Sequence, residues 1–176
     1  MKKIFSLLTV AAFSLISFTS FAQAKEDKSK RPSPPAEVSE KITTGATITI
    51  NYSQPSIKGR MIGKDLEPMT GKVWRTGANE ATTFATDKEI KVNGSMLPAG
   101  KYSLFTIAGD AEWTIIFNKK ADQWGAFDYK EADDALRVKA AAGKADKFAE
   151  KMTFTIAKNG TVDLFWGDNK VGFTVQ

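Results

Sequence analysis

The stretch KYSLFTIAGDAEWTIIFN, residues 101–118, decides the fold. Its two arms are β-branched and aromatic, and the small, turn-forming residues Ala108 to Ala111 separate them, which reads as a β-hairpin. Within each arm apolar residues follow one another instead of alternating with polar ones. Both faces of these strands are therefore expected to be buried, with the hairpin at the centre of the core.

Outward from this hairpin, short strand-like runs recur, the first with a period of two. In ATITINY (46–52) Ile48, Ile50 and Tyr52 share one face and Thr47, Thr49 and Asn51 the other. ATTFAT (81–86) and EIKV (89–92) are short β-rich runs, and NGSMLPAG (93–100) is a turn-dense connection. KMTFTIA (151–157) and TVDLFW (161–166) bracket Asn159-Gly160, a strong hairpin signal, and KVGFTV (170–175) follows a turn at Gly167-Asp168-Asn169. The segment 131–150 is rich in alanine and charge, a helix-favouring composition. Leu136, Val138 and Ala140 alternate nonetheless, so 135–140 is expected as a strand and 144–150 as a loop or short helix. Eight or nine strands at this spacing predict an all-β antiparallel sandwich, jelly-roll-like or immunoglobulin-like.

The N-terminus reads MKKIFSLLTVAAFSLISFTSFAQA, two lysines and an apolar run ending in small residues around Phe21. This is the pattern of a secretory signal peptide, residues 1–22, cut after Ala22. Residues 23–35 are a charged, proline-rich linker, solvated up to about Arg31, and residues 36–176 are a single domain. Export to the periplasm or beyond the cell follows, with no membrane insertion once the leader is removed.

The chain of 176 residues holds neither cysteine nor histidine. Core burial alone must then hold the exported domain, and Ser-His-Asp triads, Cys-His dyads and His-ligated zinc or haem are excluded. Any general acid or base must come from Asp, Glu, Lys or Tyr. The formal net charge of +5 is spread along the chain without a basic stripe interleaved with aromatics, so no nucleic-acid partner is expected. Asp128, Glu131, Asp133 and Asp134 match no calcium-loop spacing, and neither metal nor cofactor is expected.

Six segments, IKGRMIG (57–63), VWRTGANEAT (73–82), LPAGKYSLFTI (97–107), WTIIFN (113–118), WGAFDY (124–129) and ALRV (135–138), together resemble the bacterial domain-of-unknown-function 2911 family. The resemblance runs from about Arg31 to the C-terminus and implies a small exported all-β domain whose biochemical role is not established. The chain departs from the family pattern at 63–69, where relatives place an aromatic approach to the motif. It departs again at Ala140-Ala141-Ala142, which replaces a β-branched continuation and weakens that strand.

VWRTGANEATTF (73–84) is the stretch least like packing material, and two readings of it stand. In the first, Gly77 supplies a positive φ or a close backbone approach, Asn79 bonds the loop, and Glu80 pairs with Arg75 or Arg60 beneath Trp74. In the second, residues 74–80 converge with Trp124, Asp128 and Tyr129 at one end of the sandwich. Aromatic faces would then stack on a ring, while Arg60, Arg75, Asn79 and Glu80 sort hydroxyls and acids, suiting a sugar-like or carboxylated small ligand. A non-catalytic envelope binding or accessory domain is the favoured function. The alternatives are an envelope hydrolase using the carboxylates of Glu80 and Asp128, and a structural protein-interaction domain.

Overall fold

A computed structural model describes residues 26–176. The segment expected as a signal peptide and the first residues of the expected linker lie outside that range. The described chain is an antiparallel all-β fold of ten strands, and none of its helices is long and apolar enough to cross a membrane.

The strands are β1 (Pro35–Lys41), β2 (Thr47–Ser53), β3 (Val73–Trp74), β4 (Thr83–Thr86), β5 (Ile90–Val92), β6 (Ser95–Leu97), β7 (Gly100–Ile107), β8 (Glu112–Asn118), β9 (Asp134–Ile156) and β10 (Thr161–Thr174). One curled sheet runs β1-β2-β4-β7-β8-β9-β10, and β5-β6 form a small second sheet. Beyond β2 the chain turns back onto β9, where Met152 N donates to Pro55 O and Ile57 N to Glu150 O, both at 3.0 Å. That contact links β2 with β9 across the curl, giving a sandwich- or barrel-like body. The β5–β6 hairpin docks on the end of β10 through bonds between Lys91 and Gln176.

The hairpin of residues 101–118 is central, as its sequence requires. On one face of β7 and β8, Leu104, Ile115 and Phe117 join the main core. On the other, Phe105 and Ile116 are fully buried beneath Ala81, Ala126 and Tyr129. The loops that cover this second face are the 75–82 and 119–130 connections, so the motif residues sit on rigid supports.

Two expectations change. Residues 144–150 are neither loop nor helix, because β9 continues without a break to Ile156, its backbone paired with β10. Pairing overrides helix propensity here, and the alanines at 140–142 stay in the strand, with Ala140 opposite Trp113. Gly167-Asp168-Asn169 is not a turn between two strands but a pair of register shifts inside the single strand β10. Gly167 takes φ 63 there, as the glycine of a bulge often does. Asn159-Gly160 makes the expected turn, and Gly160 is obligatory, since an added Cβ would lie 1.9 Å from Val175 O.

Ile115 is 2 % exposed in the middle of β8. Ile115→Ala is expected to cost about 2–5 kcal/mol in chemical denaturation at unchanged m-value, and a cost below about 1 kcal/mol would place it outside the core.

Candidate functional site

The loop 75–82 exists because β3 and β4 share one edge of β7. Trp74 pairs with Thr106 and Thr83 with Ser103, leaving eight residues to bulge out of the ladder between them. Their backbone groups find partners elsewhere: Ala78 N donates to Ser53 O, Ala81 N to Gln123 O, Thr82 N to Arg75 O, and Asn79 O accepts from Gly125 N. Inside the bulge Thr82 Oγ1 donates to Thr76 O at 2.6 Å, and Trp74 Nε1 to Gly77 O at 3.2 Å. The positive φ falls on Thr76 and Asn79, both at 55°, and not on Gly77. Gly77 is needed for close approach instead, since a Cβ would stand 3.1 Å from Ser53 O and from Thr82 Oγ1. A β-branched threonine at positive φ is strained, and this one is fully buried.

The anchoring splits the motif into two sides. On one side Arg60, Trp74 and Arg75 line a recess of about 290 Å³ together with Asp65, Glu67 and Trp166. Trp74 is mostly core, packed edge-on against Trp113, and shows the recess only its rim. Arg60 is held by its own loop, Nε to Ile57 O at 3.0 Å and Nη2 to Ser56 O at 2.7 Å. Arg75 differs. Its Nε is buried with no hydrogen-bond partner among the described residues. Burial pushes its guanidinium below the ordinary value, with the charge of Glu67 opposing. The two carboxylates nearby are engaged by backbone, Asp65 by Met61 N at 3.0 Å and Glu67 by Met69 N at 2.7 Å. In the 63–69 segment Asp65, Leu66 and Glu67 form the wall.

On the other side stands Glu80, and its partner is neither Arg75 nor Arg60. Arg31 Nη1 donates to both its oxygens, at 3.0 and 2.9 Å, and Lys28 Nζ donates to Oε1 at 2.7 Å. Arg31 also lies over the ring of Trp124, 5.9 Å from its centroid, and its side chain is only 12 % exposed. The segment expected as a solvated tether thus docks on the domain from a single turn of 3-10 helix, Lys28–Lys30. Asn79 reaches the same segment, donating to Ser33 O at 3.1 Å instead of to its own loop.

The remaining candidates lie apart. Asp128 is exposed, and Tyr129 belongs to a different network, donating to Asp134 Oδ2 at 2.7 Å and accepting from Arg137. Burial and the bond to Asp134 push the Tyr129 phenol up to about 12. Lys28, Arg31, Asp65, Glu67 and Trp166 are the neighbours that sequence reasoning missed. Only the charge of the 26–31 segment signalled the first two.

The DUF2911 family profile, described as a protein of unknown function, matches residues 33–175, and the chain belongs to that family. Neither the curated proteins nor the solved structures provide a match.

Burial alone would raise the Glu80 carboxyl, but the bonds from Lys28 and Arg31 outweigh it and hold the group at about 2, against 4.5 for a free carboxyl. A depressed folded value means that this contact contributes fully above pH 4.5 and is lost as the pH falls through about 2. Carboxyl NMR titration is expected to show that value in the native chain and a clear rise toward 4.5 in the double variant Lys28→Ala, Arg31→Ala. An unchanged titration in the variant would show that the arm does not hold Glu80.

Proposed function

We propose that this member of the DUF2911 family is an exported, non-catalytic binding domain of the bacterial envelope, and that the Arg75 recess takes a carboxylated sugar-like ligand. The observation that carries this reading is the unpartnered Nε of Arg75. A buried donor without an acceptor is costly and rare in native structures, and a ligand oxygen would satisfy it. The planar fork of a guanidinium suits a carboxylate in particular.

The rest of the recess fits a ring that also bears hydroxyls. Asp65 and Glu67 each spend lone pairs on one backbone N–H and keep others for hydroxyl donors. Leu66, Pro55 and Trp166 supply apolar wall, and about 290 Å³ is a volume suited to one small ring. Two arginines face two carboxylates, so the recess suits a hydroxylated monoacid better than a multiply charged anion.

Binding is favoured over hydrolysis by the state of Glu80. Both its oxygens are bonded to cations, which holds it as a paired, ionised carboxylate and poorly suits it to take up a proton as a general base, and Asp128 lines neither of the two recesses that Glu80 borders.

Calorimetry with glucuronate or galacturonate against the neutral parent sugars tests the reading. The uronates are expected to bind at least about tenfold tighter than the neutral sugars, and Arg75→Met to lose that preference, as removal of one charged hydrogen bond implies. Equal binding of acid and neutral sugar, or a preference retained in Arg75→Met, would overturn it.

A further inference from the structure

We propose that Glu80 and Trp124 form a guanidinium-binding notch, occupied here by Arg31 of the same chain and able to accept an arginine-bearing peptide segment in its place. The notch is separate from the Arg75 recess and stands whether or not that recess binds a sugar acid.

The geometry is that of arginine recognition. A carboxylate offers both oxygens to one guanidinium nitrogen, at 3.0 and 2.9 Å, while the indole face lies 5.9 Å from the guanidinium carbon. The carboxylate accepts either cation, as the Lys28 bond to Oε1 shows, and the aromatic face is what favours the planar guanidinium of arginine over the compact ammonium of lysine. The two notch residues are fixed to each other by backbone, since Glu80 and Trp124 form an antiparallel bridge. The notch is thus prearranged by the loop and does not depend on the arm for its shape.

The occupant, in contrast, belongs to a short arm. No residue of the Lys28–Lys30 turn is buried, Lys28 pairs with Glu80 at the surface, and Arg31 divides its guanidinium between Glu80 and Glu26 of its own arm. What keeps Arg31 in place is proximity. Only three residues separate it from the start of β1, so it is presented at the high effective concentration of a short tether. A free peptide of the same chemistry must outcompete that advantage, and removing Arg31 removes it. Trp124 remains 55 % exposed beside the bound Arg31, leaving room for an incoming segment to begin contact.

The probe is the acetylated, amidated peptide Lys-Ser-Lys-Arg-Pro, with a citrulline analogue as control, followed through the indole N–H signals of the full mature chain. Arg31→Ala is expected to bind the peptide at least tenfold tighter than wild type does. The citrulline analogue, which keeps the shape and loses the charge, is expected to bind Arg31→Ala at least fivefold more weakly. Glu80→Gln or Trp124→Ala added to Arg31→Ala should each weaken the peptide at least fivefold, and the exposure of Trp124 makes the second variant safe for folding. Equal binding to wild type and Arg31→Ala, no binding to either up to roughly 10 mM, above the effective concentration of such tethers, or binding that survives both added substitutions would overturn the proposal.

Discussion

One edge of β7 is shared by two strands, and the arrangement of the candidate sites depends on it. β3 and β4 lie end to end along that edge, so residues 75–82 cannot join the ladder and must be satisfied from outside it. The satisfaction is thorough: Ser53, Gln123 and Gly125 each bond the loop backbone, and the Thr82 hydroxyl closes it from within. A loop so pinned can hold Thr76 and Asn79 at positive φ, a conformation that their side chains disfavour. It also fixes the directions in which Arg75 and Glu80 leave. They diverge, and the polar cluster that looks like one network in sequence becomes two separate environments.

The division of charge follows from that divergence. Glu80, the nearest acid to Arg75 in sequence, is taken by Lys28 and Arg31 from the arm. Arg75 is left beside Asp65 and Glu67, each of which has one oxygen bonded to a backbone N–H group and neither of which hydrogen-bonds the guanidinium. A half-buried guanidinium without a close partner loses solvation and gains little in return, and the lowered pKa of Arg75 expresses the same fact. Such a group is difficult to explain as an element of stability and easier to explain as half of an interaction that a ligand completes.

Much of the fold was legible because local chemistry and burial agree. The 101–118 hairpin carries apolar residues on both faces and small residues at its turn, and Asn159-Gly160 joins two strands just where its backbone preference requires. The stretch 144–150 was not legible, since alanine and lysine favour a helix and the β10 partner that overrides them lies in a later segment. Gly167-Asp168-Asn169 carries ordinary turn residues, and only the continuous pairing around it makes it a bulge. The motif at 73–84 could be recognised as polar and special, but its partners could not. Arg31 and Glu80 are 49 positions apart, and no local rule joins them. Nor does any rule of composition place a positive φ on Thr76 when Gly77 stands beside it.

The central claim is that Arg75 is present for a ligand and not for the fold. Chemical denaturation of Arg75→Met tests it most directly, because methionine keeps most of the apolar stem and removes only the buried, unpartnered donor and its charge. If the claim holds, the variant is as stable as the native chain or more stable, by up to about 1–3 kcal/mol, the cost of an unsatisfied buried polar group. A loss of more than about 1 kcal/mol at unchanged m-value would contradict it and make Arg75 a structural residue.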